Sequence, residues 1–329
     1  MAPRAFAYAG AMRIDVLVLD RVFDLGLSAV LDAFQTANEL IDASGLAVPR
    51  FDVRVVGVRP RVASAQGFRV PVRAADAGTP DVVVVPAIGF KMPEALEAAL
   101  GRRDIRDAVT LLRRWASRGA TMTAACIGTF VMAESGVLDG HRATTTWWLA
   151  PMFRQRYPGV ILEDAHMVVR SGHVVTAGAA LGHMDLALWI IRSSSPKLAA
   201  LTANYLIVDS RPSQSAYALT DHLMHSDPLV HRFEQWARTH LARRFSLDAA
   251  AKAVAASKRT LARRMHAVLG RTPVAYVQDL RVERALHLLT TGGTSVDEVA
   301  ARVGYADGAT LRTLLRRKLR IGVKEIRRR

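Results

Sequence analysis

Over the first two thirds of the chain, short apolar runs alternate with longer stretches in which apolar residues recur every three or four positions. Ile14 to Leu19, Phe51 to Val56, Asp81 to Val85 and Ala120 to Ala125 are predicted as strands, several of them apolar throughout. Strands covered on both faces have no polar side and lose the usual alternation. Ser28 to Ile41 and Ile105 to Ser117 carry the 3.6-residue period of helices between them. This order predicts an α/β sandwich with a parallel central sheet, in which ligands bind at the carboxyl ends of the strands. Val168 to Thr176 reads as a hairpin, and Ala179 to Ile191 as a helix returning onto the sheet.

The last third contains no convincing strand. Leu229 to Leu241, Leu247 to Ala255, Lys258 to Leu269, Val274 to Leu289, Val296 to Val303 and Ala309 to Leu319 all show helical spacing with one apolar face. The change of pattern divides the chain into an α/β domain at 12–193, a linker at 194–227 and an all-α domain at 228–329. Ser193-Ser194-Ser195-Pro196 and Ser210-Arg211-Pro212-Ser213 interrupt helical patterns in the linker. Two domains also suit a length of 329 residues.

Charge separates the two blocks further. The chain carries a net charge of +16, of which +4 belongs to residues 1–219 and +12 to residues 220–329. A basic helical domain on a near-neutral one calls for a polyanionic partner. A membrane is the weaker candidate. Surface-binding helices need a broad exposed apolar face, and the most apolar run, Val82 to Phe90, is broken by Pro86 and Gly89 far short of the ~20 residues of a span. The single cysteine, Cys126, excludes an intrachain disulfide, and Met1 to Met12 lacks the apolar core of a signal peptide. The expected location is the cytoplasm. No cofactor or metal site is expected. His222 and His225 could share a helical face, but no acidic or thiol partner follows at ligand spacing, so an ordinary packed or solvated pair is favoured.

The basic block repeats one design twice. A short helix, a tight turn and an Arg-rich helix form a helix-turn-helix unit, first at Leu247–Ala255 and Lys258–Leu269, then at Val296–Val303 and Ala309–Leu319. Ser246, Ser257 and the Ser295/Glu298 capping box mark the helix starts. In the first unit Leu261, Met265 and Val268 or Leu269 form the buried stripe, so Arg259, Ala262, Arg263 and His266 face outward. Arg in the major groove can donate two hydrogen bonds to guanine O6 and N7, which makes Arg263 the first base-reading candidate and Arg259 the second. In the last helix Leu311, Leu314, Leu315 and Leu319 face inward, leaving Arg312, Thr313 and Arg316 outward. Arg316, Arg317, Lys318 and Arg327 to Arg329 suit phosphates better. The competing view of such charges is a merely solvated helix face.

These residues resemble the AraC/XylS-type regulator domain over about 228–328. The likeness rests on Ser257-Lys258-Arg259-Thr260-Leu261-Ala262-Arg263-Arg264, Gly270-Arg271-Thr272-Pro273, Leu280 to Ala285 and Val303-Gly304-Tyr305. It implies two linked units on double-stranded promoter DNA, contacting it through Lys258, Arg259, Thr260, Arg263, Arg264, Arg312, Thr313 and Arg316. The second unit departs from the family's Phe-x-Arg-x-Phe with Leu311-Arg312-Thr313-Leu314-Leu315, and Arg320, Val323 and Ile326 replace its closing Gly-x-x-Pro and Tyr-Arg pattern.

In the neutral block, Cys126 stands between a strand and the stretch Ile127 to Ser135. A sharp strand-to-helix turn would make a nucleophile elbow and put the thiol at a helix N-terminus, where the dipole lowers its pKa. A buried cysteine acting as a small apolar residue is the alternative. A hydrolase also needs a base beside the thiol; His141, His166, His173 and His183 are available, and nothing in the spacing selects one. A pocket for a small molecule would be walled by Cys126, Ile127, the Ala87-Ile88-Gly89 loop, the Asp20 to Asp24 loop, Thr146, Trp147 and Trp148.

Residues 12–193 resemble the ThiJ/PfpI group of class I glutamine amidotransferase-like domains, and the whole chain looks like the GlxA-type regulators that fuse this domain to an AraC-type one. The motifs are Asp81 to Pro86, Cys126 to Gly136, Leu138 to Thr145, Thr176-Ala177-Gly178 and Asp185 to Leu188. Where the family continues Thr-Thr-His-Trp, this chain has Thr144-Thr145-Thr146-Trp147, so the histidine that could serve as base is absent. The resemblance implies a transcriptional regulator with a non-catalytic effector domain. Its pocket would include Gly89, Cys126, Ile127, Thr146 and Trp147. An unidentified small-molecule effector, a homodimer through the N-terminal domain and RNA polymerase are the further partners. The rival is a cysteine-dependent hydrolase or lyase with an appended DNA-binding domain.

Overall fold

Strand β1 (Met12–Val18) is buried at every position but Arg13 and sits inside a seven-stranded sheet. The protein is described here from a computed structural model covering residues 10–75, 78–209, 214, 225, 227–291, 295–319 and 322–326. The remaining strands are β2 (Phe51–Gly57), β3 (Val62–Ala63), β4 (Arg69–Val70), β5 (Arg73–Ala74), β6 (Val82–Val85), β7 (Thr121–Ala125), β8 (Arg142–Ala143), β9 (Ile161–Leu162), β10 (Val168–Ser171) and β11 (Val174–Ala177). The sheet order is β10-β11-β7-β6-β1-β2-β5, parallel throughout except for the β10–β11 hairpin. The two pairs β3–β4 and β8–β9 stand apart from it.

Helices α1 (Asp24–Ser44), α2 (Pro93–Leu100), α3 (Arg103–Ser117), α4 (Gly128–Glu134), α5 (Ala150–Arg156), α6 (Gly182–Ser194) and α7 (Pro196–Tyr205) accompany these strands in the sequence. On one face of the sheet, Val30, Phe34 and Ala37 of α1, Leu186 and Ile190 of α6 and Leu198 of α7 pack in one core with Ile14, Val16 and Val84. Val83 and Val85 alternate with Val82 and Val84 and so point to the other face. The amphipathic α3, with Ile105, Ala108, Leu112 and Trp115 buried, packs on β7 and α4. The expected parallel α/β sandwich is present.

Ser193 to Pro196, where the expected linker begins, is a junction between two helices. Ser195 Oγ accepts the Leu198 N–H at 3.2 Å, Pro196 opens α7, and Leu198, Ala199 and Thr202 are buried. A proline at the first helical position loses no hydrogen bond, so the break signal ends one helix and starts the next. Ser210 to Ser213 lie outside the described residues.

The chain divides into two compact units: Met1–Trp147 with Tyr157–Gln214, and Trp148–Arg156 with Ser215–Arg329. The second is helical, with α8 (Pro228–Thr239), α9 (Leu247–Ala253), α10 (Lys258–Leu269), α11 (Pro273–Thr291), α12 (Val296–Arg302), α13 (Gly308–Leu319) and α14 (Val323–Ile326) after α5. Six of these follow the predicted helices to within a few residues. Near its end, Val282, Ala285 and Leu289 of α11 join Val299 and Ala300 of α12, Leu311, Leu314 and Leu315 of α13 and Ile326 of α14 in a core. Among the described residues no helix is long and apolar enough to cross a membrane.

Candidate effector site and nucleic-acid interface

At the carboxyl end of β7, Cys126 turns the chain with φ +55°, in the left-handed region that costs a non-glycine residue about 1–3 kcal/mol. Its N–H donates to Ala177 O of β11 at 2.8 Å, and Thr145 Oγ1 donates to its carbonyl at 2.8 Å. Helix α4 can begin this close because residue 128 is glycine; a Cβ there would lie 2.2 Å from Val85 O. Strand, strained cysteine and close helix make the elbow expected from sequence.

Of the two readings of the thiol, the buried one has the support of its surroundings. Burial pushes its pKa up to about 12, outweighing the Ile127 N–H, the Thr146 hydroxyl and the positive charge of Lys91, which all pull the other way. The helix-dipole lowering that the elbow reading required is absent, because α4 has only seven residues and the sulfur has almost no solvent. Lys91, whose ammonium lies 5.7 Å from the Phe23 ring centroid, was not singled out in the sequence. A lysine in a loop carries no periodic or capping signal.

The four histidines are engaged elsewhere. His183 is buried; its Nε2 accepts the Ala87 N–H at 3.0 Å, so Nδ1 carries the proton and donates to Ala180 O at 2.6 Å. Burial lowers its pKa to about 4. His141 Nδ1 bonds Ser171 Oγ at 3.1 Å, with its ring against that of His173. His166 Nδ1 lies 3.4 Å from Glu163.

Cys126, Ile127 and Thr146 come together and are buried, while Gly89 and Trp147 are half-buried. The Thr146 hydroxyl lies against the thiol and otherwise lacks a hydrogen-bond partner. Gly89 is held between two loops: its N–H donates to Arg21 O at 2.7 Å, and a Cβ would meet Ala65 Cβ at 2.5 Å. In the Asp20 to Asp24 loop, Asp20 Oδ1 accepts the Ala63 N–H and Asp24 Oδ2 the Gln66 N–H, at 3.0 and 3.1 Å. Trp148 falls in the other unit. The residue missed here is Gln214. Its side chain is buried, and Nε2 donates to Thr145 O at 2.9 Å and Thr144 Oγ1 at 3.2 Å while Oε1 is left without a partner. Glycine at 178 makes room for it, since a Cβ would come within 2.4 Å of its Nε2.

In the second unit, Ser257 Oγ accepts the Thr260 N–H at 3.0 Å and starts α10 as expected, while the preceding turn passes through Ala255 at φ +54°. Leu261, Met265 and Leu269 are buried, which leaves Lys258, Arg259, Arg263, Arg264 and His266 exposed and Thr260 half-exposed. Two of these cations have acidic partners. Lys258 Nζ lies 2.8 Å from Asp248, and Arg264 pairs with Asp227, the N-cap of α8. Burial alone would raise the Asp227 carboxyl, but hydrogen bonds from the Val230 and Leu229 N–H groups and from Arg264 hold it below its ordinary value. Arg259 and Arg263 carry no ion pair with a described acidic residue.

The second helix-turn-helix has the expected capping box at Ser295 and Glu298. Gly304, at φ +81°, makes its turn; a Cβ would meet Leu241 O and an Arg281 amine, each at 2.6 Å. Leu311, Leu314 and Leu315 are buried, and Arg312, Thr313 and Arg316 are exposed. Two of the expected phosphate contacts have partners on α11 instead: Arg317, still exposed, donates to Gln278 Oε1 at 3.2 Å, and Lys318 Nζ to Asp279 at 2.7 Å. Asp279 also holds Arg271 at 2.8 Å, so it engages Arg271 and Lys318 together. Arg320 and Arg327 to Arg329 lie outside the described residues.

An α/β unit with a cysteine elbow and a helical unit with two capped helix-turn-helix pairs define a two-part protein. Residues 12–193 match the DJ-1/PfpI family and residues 250–329 match a helix-turn-helix domain. The chain belongs to the DJ-1/PfpI family. It is similar to the HTH-type transcriptional regulator ArgR of Pseudomonas aeruginosa, 25% identical over 304 residues that cover 91% of this chain and 88% of that one. It is also similar to the HTH-type transcriptional regulator GbdR of the same species, 24% identical over 89% of this chain and 77% of GbdR. Among solved structures, an AraC family transcriptional regulator from Pseudomonas putida matches 59% of this chain and 98% of its own, with a TM-score of 0.50 and 21% identity, a likeness of fold.

Proposed function

We propose that the chain is a sequence-specific DNA-binding transcriptional regulator whose DJ-1/PfpI-type unit holds a small-molecule effector without transforming it. The observation that carries this is α10, where a buried Leu261–Met265–Leu269 stripe fixes the helix and turns Arg259 and Arg263 outward without acidic partners among the described residues. That is the arrangement a groove-reading helix requires. The names of the relatives at 24–25% identity agree with it. Lys258, Thr260, Arg264, Arg312, Thr313 and Arg316 complete the DNA-facing set.

The effector would lie near Cys126, Ile127 and Thr146, with Gly89 and Trp147 at the margin. The Thr146 hydroxyl, whose one neighbour is the thiol, and the partnerless Gln214 Oε1 supply the polar groups that orient a ligand. The rival hydrolase or lyase keeps the elbow geometry in its favour. A thiol pushed up to about 12 and four histidines engaged elsewhere weigh against it. Control by an effector requires unequal affinity for two states of the protein, since equal affinity shifts nothing. A homodimer through the N-terminal unit, contact with RNA polymerase and a cytoplasmic location complete the proposal. Selection of duplexes from a randomised pool by the full chain tests it. Enrichment of one motif is the expected result, and retention of duplexes without sequence preference would refute sequence-specific regulation.

A further inference from the structure

At the start of the helical unit, His225, His231 and Glu234 converge. Their ligand atoms all lie within 4.8 Å of one another. His225 Nε2 is 3.2 Å from Glu234 Oε2, and His231 Nδ1 is 3.3 Å from the same oxygen. Zinc bonds of about 2.0–2.1 Å in a tetrahedron leave about 3.3–3.4 Å between neighbouring donor atoms. Both edges, which a shared proton would also allow, match the donor spacing around a shared ion.

Hydrogen bonding around the three side chains bears on what lies between them. His231 Nε2 is 3.0 Å from His225 O, a bond it can make only as donor. In the neutral ring the Nδ1 lone pair then faces the Glu234 carboxylate, and two acceptors at this distance need a proton or a cation between them. Glu234 is nine-tenths buried, and its other oxygen accepts the Tyr276 hydroxyl at 3.0 Å. A buried carboxylate requires compensating charge. The carbonyl and hydroxyl partners are the outer contacts that orient ligands in zinc sites.

We propose that His225, His231 and Glu234 bind one divalent d-block cation, zinc foremost, with a fourth position open to water. Two imidazoles and a carboxylate suit this class of ion over magnesium or calcium, which take oxygen ligands. The ion ties a residue three positions before α8 to two side chains one turn apart on that helix. Its cost is the 3.3 Å bond from the Asp227 N–H to His225 Nδ1, which is released because the ring must carry its proton on Nδ1 when Nε2 binds metal. The sequence alone set aside a metal at His222 and His225; the chain instead brings His231 and Glu234 to His225, while His222 lies outside the described residues. This site is independent of the DNA-binding proposal.

The test uses the full chain after treatment with chelator. Zinc is titrated against a chromophoric competitor, and cobalt is used as a spectroscopic probe. One zinc per chain, a tetrahedral cobalt absorption band and a zinc-dependent rise in Tm are expected. His231→Ala should weaken zinc binding by at least ~100-fold and abolish the Tm rise, judging from the 10–100-fold losses seen even at outer-shell positions. His141→Ala should change none of these. His231 is half-exposed, so its variant keeps the test valid if His225→Ala or Glu234→Gln fails to fold. No saturable zinc binding, the sign of a pair bridged by a proton only, would overturn the proposal. Stoichiometric zinc retained by His231→Ala would overturn it too.

Discussion

The guanidinium of Arg281 lies over the ring of Tyr305, 4.9 Å from its centroid, while the same side chain donates to Leu241 O at 3.2 Å and to Arg243 O at 2.5 Å. One buried arginine on α11 thus joins the turn of the second helix-turn-helix to the chain after α8. Arg281→Ala should destabilise the protein by about 2–3 kcal/mol, because it removes buried charge-assisted hydrogen bonds together with a cation–π interaction. Arg281→Lys should recover little, because an ammonium lacks the planar fork. Urea unfolding of the three proteins measures both effects.

Arg263→Ala should weaken binding to a selected duplex by about 1–3 kcal/mol and relax base preference at one position. Lys318→Ala should change affinity little, since Asp279 already engages that ammonium. Fluorescence anisotropy on matched and singly mismatched duplexes separates the two.

At neutral pH, Cys126 should react with iodoacetamide far more slowly than a free cysteine, because thiolate forms only near pH 12. A folded pKa above the unfolded one stabilises the fold below about pH 9, and this contribution is lost as pH rises from about 9 to 12. Mass spectrometry of alkylation against pH checks the reactivity. Rapid labelling at pH 7 would restore the enzymatic reading.

His183 titrates in the opposite direction. Its folded pKa is about 4 against an ordinary 6.5, so the neutral ring stabilises the fold above about pH 6.5 and this is lost as pH falls toward 4. The contribution is on the order of 3 kcal/mol at most. His183→Gln, which keeps a donor and an acceptor, should flatten that part of the curve of unfolding free energy against pH.

Sequence periodicity placed the main parallel strands and the long helices because each has to bury a face of its own. Val82 to Val85 could be recognised as a covered strand with no other information. Helix α7 was hidden: a Ser-Pro pair signals a break whether a loop or a new helix follows. The outward faces of α10 and α13 followed from spacing alone. Which cations were engaged did not, since Lys318 and Arg264 find their acidic partners, Asp279 and Asp227, far off along the chain. The Cys126 elbow was legible from a strand meeting a helix, whereas the height of its pKa was not. That depends on how completely neighbouring elements exclude water. Gln214 and the partners of His225 were likewise out of reach, being tertiary contacts without local pattern.

The most direct measurement is the affinity of the full chain for a selected duplex and for a scrambled one, taken from about 50 to 200 mM salt. The selected duplex should bind at least ~1,000-fold more tightly, and both affinities should fall steeply with salt. Equal affinity for the two duplexes, or no binding at low salt, would contradict the claim that the outward arginines of α10 read DNA.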